Sequence, residues 1–201
     1  MKKIFIIAAV IALAAAACNN SPTPPPDQSP TPTPTASAAQ TYNNATYGFS
    51  FAYPDEWHFV TPTYASLQDQ IVQVQLAGDQ YPGTNFGDAA FTVSAQYAAS
   101  LADCLKLAPP ENGDGFKTPV VINGATFYKT AAEGAGAGNF YESTVYRTVK
   151  APNGACIELN ETIHTSNIGN YPTGTVTEVD KAAVQARLDS LLNSFQFNDQ
   201  Q

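Results

Sequence analysis

Lys117-Thr118-Pro119-Val120-Val121-Ile122-Asn123-Gly124-Ala125-Thr126-Phe127-Tyr128-Lys129-Thr130 is the most legible stretch of the chain. Two strand-like runs flank Asn123-Gly124, a dipeptide suited to a type I′ turn, whose two central residues need positive φ. An antiparallel hairpin is the expectation, and the pattern recurs on both sides of it. C-terminally, Phe140 to Val149 and Cys156 to Thr165 flank Ala151-Pro152-Asn153-Gly154 as a second hairpin. N-terminally, Ala90 to Tyr97 sets Phe91, Val93, Ala95 and Tyr97 on one face. Gln70 to Ala77 sets Val72, Val74 and Leu76 against a mostly polar Ile71, Gln73 and Gln75 face that is expected to meet water. Tyr47 to Tyr53 also alternates, and Pro54-Asp55-Glu56 turns it into Trp57-His58-Phe59-Val60.

Two segments carry helical spacing instead. Ala99 to Leu107 places Leu101, Cys104 and Leu105 on one side and ends at Pro109-Pro110. Thr177 to Asn193 aligns Val184, Leu188 and Leu191, with Phe195 just beyond, and Thr177 with Asp180 resembles a capping arrangement. Antiparallel strands with a short and a long helix indicate an α+β domain, a central antiparallel sheet flanked by helices. Of the 201 residues, about 160 are expected to fold, an ordinary size for one domain.

The N-terminal part reads as an address. Met1-Lys2-Lys3 precedes an apolar run from Ile4 to Ala17, too short for the ~20 residues that cross a bilayer, so residues 1–17 read as a signal peptide. Leu13-Ala14-Ala15-Ala16-Ala17-Cys18 resembles a bacterial lipobox, with Cys18 as the lipid-carrying residue, although Ala15 stands where that pattern prefers leucine. Ala15-Ala16-Ala17 also satisfies ordinary signal-peptidase cleavage, the competing reading. Residues 18–40 are rich in Pro and Thr, lack large apolar side chains, and read as a disordered, semi-rigid stalk of up to ~70 Å. Residues 41–201 then form the globular domain.

The segment from Tyr47 through Pro54-Asp55-Glu56-Trp57 resembles the opening strand and turn of the PsbP-like proteins and their Mog-type relatives, in which an aromatic strand runs into Pro-x-x-Trp. Leu188 to Phe197, a helix running into Ser194-Phe195-Gln196-Phe197, is similar to the end of those domains. The resemblance covers about Tyr42 to Phe197 and implies an α/β/α sandwich. Its members range from a photosystem accessory subunit to a nuclear-transport factor and bacterial envelope lipoproteins. It implies binding or assembly without catalysis and gives no residue a binding role.

Seventeen acids against nine bases leave a formal charge of −8, which speaks against a nucleic-acid partner. Losing Lys2 and Lys3 with the signal takes −8 to −10, so the body is repelled by an anionic membrane and attachment rests on the lipid at Cys18. With Cys18 lipidated, Cys104 and Cys156 remain as an even pair in an oxidising setting and are expected to form a disulfide. The two histidines, His58 and His164, have no second histidine at ligand spacing, and neither a metal nor a cofactor is expected.

Arg147 falls opposite Glu158 if the second hairpin closes around Pro152-Asn153, giving a cross-strand ion pair of ~0.2 to 1 kcal/mol; an anion site is the sharper alternative. Glu161 alternates with Ile157, Leu159 and Ile163, which sets it toward the core, where a carboxylate needs a partner or a raised pKa; a strand-edge position open to water is the alternative. Gly134-Ala135-Gly136-Ala137-Gly138 reads as a flexible loop, because no strand-to-helix fingerprint surrounds it. Two functions follow. The first is a lipid-anchored extracytoplasmic envelope protein that, without catalysis, binds a protein partner or a small envelope ligand or serves as a structural assembly factor. The second is an envelope hydrolase or metal-dependent enzyme using Glu161, His164 and Arg147, which strand alternation opposes by placing Glu161 and His164 on opposite faces.

Overall fold

Asn123 and Gly124 adopt φ of 44° and 80° in the computed structural model, closing the expected hairpin between Thr118–Ile122 and Ala125–Gly136. The structure describes residues 39–64, 66–108, 115–149 and 154–198. The signal segment 1–17, Cys18, the stalk up to residue 38, Pro109-Pro110 and the turn residues 151–153 lie outside the described residues. In chain order the elements are β1 (Ala39–Asn44), β2 (Phe49–Pro54), β3 (Trp57–Val60), β4 (Asp69–Ala77), β5 (Phe86–Tyr97), α1 (Leu101–Cys104), β6 (Thr118–Ile122), β7 (Ala125–Gly136), β8 (Asn139–Thr148), β9 (Ala155–Ser166), α2 (Lys181–Ser194) and β10 (Gln196–Phe197).

Every strand pair is antiparallel. Seven strands form one sheet in the order β3-β4-β5-β9-β8-β7-β6, and β1-β2-β10 form a second. On one face of the large sheet, Val74, Leu76, Phe91, Val93 and Leu159 are completely buried. They join Phe49 and Phe51 of β2 and Val184, Leu188 and Leu191 of α2 in a single core. Each fully buried aliphatic or aromatic side chain there contributes about 1.5–3 kcal/mol. The helix starts at Asp180, whose carboxylate accepts from the Ala182 and Ala183 amides at 3.0 and 3.2 Å, so Asp180 is the cap and Thr177 lies outside the helix.

The opposite face holds a smaller core of Leu67, Ala98, Cys104 and Cys156, roofed by the 61–68 loop and by α1 with the turn after it. Cys104 and Cys156 form a disulfide across 52 residues with Cα atoms 5.3 Å apart, tying α1 to β9. Closing a loop of that length is worth about 4 kcal/mol in the chain-entropy account.

Three expectations are corrected. The helix-flanked α+β sandwich does not form: among the described residues the only α-helices are one of four residues and one of fourteen, and the chain is mostly strand. Ala99–Leu107 shrinks to a single turn because the disulfide, the Ser100 cap and the contacts to β8 hold that segment, leaving loops to cover the second face. That cover also buries Gln73, 1% exposed, whose amide oxygen accepts from the Thr63 amide at 2.8 Å and the Thr92 hydroxyl at 3.1 Å, so this part of β4 does not meet water. Finally, the glycine-rich run is no loop. β7 continues to Gly136, laddered to β8 residue by residue, and only Ala137 and Gly138, at φ 50° and 80°, make the turn. Pairing with β8 overrides the poor strand propensity of Ala and Gly.

Candidate functional site

Glu161 lies opposite Phe91 on β5 and Thr144 on β8, on the face that α2 covers, and is 1% exposed. Its Oε2 accepts from the Tyr146 hydroxyl at 3.1 Å and from the Gln185 amide of α2 at 3.0 Å. Its Oε1 is buried with no hydrogen-bond partner. Burial, then the Asp189 carboxylate, raise its pKa from 4.5 to about 7, while Tyr146, Gln185 and Lys129 pull the other way. Burial first, then Glu161, push the Tyr146 phenol upward as well. Glu161 is therefore a buried carboxyl near its ionisation point, clamped between sheet and helix.

His164 points to the other face. Its Nδ1 lies 3.0 Å from Asp88 Oδ2 and its Nε2 2.9 Å from Asn139 Oδ1, so both ring nitrogens are occupied by protein partners. The ring stacks on Tyr141 with centroids 4.7 Å apart, and Tyr64 donates to Asp88 at 3.3 Å. Burial and Asp88 raise the Tyr64 pKa, keeping the phenol protonated. Gly87 is required beneath this stack, since a Cβ there would sit 2.6 Å from His164 Nδ1.

Arg147 pairs with Glu158 in the expected cross-strand register, but neither side chain is exposed. Its Nε donates to Glu158 Oε2 at 2.8 Å, and Nη2 lies 2.7 Å from the same oxygen as an ion-pair contact. The remaining guanidinium protons go to Ser66 Oγ and to the carbonyls of Cys104, Leu107 and Ala108, and Phe116 covers the cation at 4.4 Å. Glu158 in turn accepts from the Ser66 amide and hydroxyl and from Ser94. The sequence estimate for an exposed pair does not apply: this network pins the 61–68 loop and the turn after α1 to the sheet, and breaking it on one side costs about 3–5 kcal/mol.

The three sequence candidates do not meet. Glu161 faces α2, whereas Arg147 and His164 share the other face about 20 Å apart, six β9 positions being ~3.3 Å each. His58, on the edge strand β3, is exposed. Among the described residues no group of three or more His, Cys, Asp or Glu is placed to hold a metal ion.

The sequence did not single out the open part of the sheet. α2 packs on β2, β5 and β9; on the same face Phe127 of β7 and Tyr146 of β8 are buried, whereas Glu133 and Phe140 farther along these strands are exposed. A cleft of about 430 Å³ lies there beside the start of α2, lined by Asn85, Glu133, Phe140, Glu142, Ile168 and Lys181 among others. Phe140 and Ile168 are 41% and 39% exposed. Lys181 pairs with Glu142 across the cleft. A smaller hollow of about 210 Å³, lined by Thr118, Lys129, Ala131 and Thr144, continues along the strands toward Glu161's neighbour Thr144.

Fold and cleft together define a mostly β domain with one long helix docked on a seven-stranded antiparallel sheet and a shallow cleft beside that helix. No family profile matches the chain, and no curated protein does. Solved structures to which it is similar include LpqN, involved in cell envelope biogenesis of Mycobacterium tuberculosis, at 12% identity and TM-score 0.49, covering 81% of this chain and 91% of that one. Cyanobacterial PsbP (CyanoP) from Synechocystis is similar at 15% identity and TM-score 0.45, covering 86% and 99%. A Bacteroides thetaiotaomicron protein is similar at 13% identity and TM-score 0.45, covering 83% of this chain, which spans 50% of that protein's length. A PsbP protein is thus among the similar structures, and none of the three gives a residue of this chain a role.

Proposed function

We propose that this chain is an extracytoplasmic binding protein, anchored to the cell envelope by a lipid on Cys18, which receives a protein partner or a small envelope ligand in the cleft between α2 and β7–β8 and carries out no reaction of its own. The observation that carries the reading is the cleft itself. Its volume of about 430 Å³ is in the range of ligand pockets, and half-exposed Phe140 and Ile168 stand beside polar Asn85, Glu133 and Glu142. Apolar contact area next to a few fixed polar groups is what recognition requires. Among the described residues no helix is long and apolar enough to cross a membrane.

Native mass spectrometry of the chain purified from its own envelope tests the site. The wild type should carry an added species that Ile168→Trp, which fills the cleft, does not. The same species on both proteins would place binding elsewhere. Palmitate labelling tests the anchor: it should vanish in Cys18→Ser, and persistent labelling would contradict it.

A further inference from the structure

β7 is longer than the strand that flanks it. β6 pairs with β7 only as far as Thr118 against Lys129, while β8 pairs with it from Tyr128 through Gly136. Among the described residues no strand meets the outer edge of residues 131–136. An uncovered edge presents backbone donors and acceptors ready to pair with another chain. Edges are commonly blunted by proline or lysine, and Pro119 does this on β6. Residues 131–136 contain neither; apart from Glu133 they are alanine and glycine, and all but Ala132 are exposed, which leaves the backbone within reach.

The charge pattern selects the partner. Glu133 stands directly opposite Glu142 in the β7–β8 register, an arrangement of like charges that destabilises a sheet. Lys181 neutralises one member by pairing with Glu142. Glu133 has no ion pair among the described residues. Glu178 lines the same cleft and adds to the negative field. A second copy of this chain is a poor occupant, because it brings another Glu133 and a further formal charge of −8.

We propose that residues 131–136 of β7 accept an extended, basic segment of a partner protein as an eighth strand, with a lysine or arginine of that segment set against Glu133. The proposal rests on the binding reading above and names its partner class. Main-chain pairing with β7 holds the segment, and alternate side chains on the α2 face overhang the cleft, the usual division of labour in strand addition.

The test uses the full chain in detergent micelles, labelled for amide NMR, and a capped peptide of about eight residues alternating lysine with valine, long enough to cover the edge. A counterpart with glutamate for lysine serves as control. The lysine peptide should shift the amides of residues 131–136 saturably and the glutamate peptide should not. Glu133→Gln should weaken binding about threefold and Glu133→Lys about tenfold, since reversal replaces attraction by repulsion. Binding unchanged by Glu133→Lys would overturn the proposal. Saturable shifts confined to Asn85, Thr165 and Asn167 would overturn strand addition while leaving the cleft reading intact. No saturable shift would also overturn strand addition, and the Ile168→Trp comparison would then decide the cleft reading by itself.

Discussion

Replacing Glu161 by glutamine isolates the titration of one buried carboxyl. The folded-state pKa is about 7 against an ordinary 4.5. Between these values the folded protein holds a proton that the unfolded chain has released, so stability falls as pH rises through that window and levels off above about 7. A difference of about 2.5 pKa units at 1.36 kcal/mol each amounts to ~3 kcal/mol, present in full above pH 7 and absent below about 4.5. The groups that set it face Glu161 from three elements: Tyr146 on β8, Gln185 and Asp189 on α2, and Lys129 on β7. Glu161→Gln removes the ionisation and keeps the shape. Urea unfolding followed by the fluorescence of buried Trp57, the only tryptophan, should give the variant a stability advantage that grows from about zero near pH 5 toward ~3 kcal/mol near pH 8. Titrating groups with no interaction with Glu161 cancel in the difference. Parallel stability curves for the two proteins across that range would refute the reasoning.

Arg147→Met should cost about 3–5 kcal/mol in urea unfolding, because Glu158 is then a buried charge without its cation, and adding Glu158→Leu should restore much of the loss. Replacing Cys104 and Cys156 by serine should lower stability by about 4 kcal/mol, with the midpoint measured under the same conditions. Gly87→Ala should cost about 1–3 kcal/mol in thermal unfolding, since its Cβ would meet the His164 ring at 2.6 Å, and Gly124→Ala, with open space but a φ of 80°, should be destabilising through backbone strain alone.

The parts of this molecule legible in the sequence are those with local causes. Asn123-Gly124 determines its own turn, and alternation along β9 puts Glu161 on the core face because the side-chain period of a strand is two. The Arg147–Glu158 register follows from counting across the turn, and the Cys104–Cys156 disulfide agrees with cysteine arithmetic. What escapes is whatever depends on long-range cover. Nothing local to Gln73 or Arg147 reports that the 61–68 loop and the segment after α1 will bury them, so a wet strand face and an exposed ion pair were the natural readings. The second layer of helices fails for the same reason: α1 carries helical spacing, but a disulfide and loop contacts decide its length. Residues 131–136 show the reverse case, in which a composition typical of loops is drawn into a strand by its neighbour.

Of the candidate site, Glu161 was visible by its period, whereas Asp88, Asn139 and Tyr64 around His164 come from three other segments with no shared pattern. Gln185 and Asp189 were available as a helical i, i+4 pair, joined at 2.9 Å, on the flank next to Val184 and Leu188. The cleft had no signal at all, because it is defined by where α2 stops covering the sheet.

Site-specific photocrosslinking in living cells tests the binding account most directly. A photoreactive residue in place of Phe140, at the cleft, is compared with one in place of Val121, 72% exposed on the edge strand β6. The account predicts a discrete, stoichiometric adduct from position 140 and none from position 121. Equal labelling from both positions, or adducts from 121 alone, would contradict it.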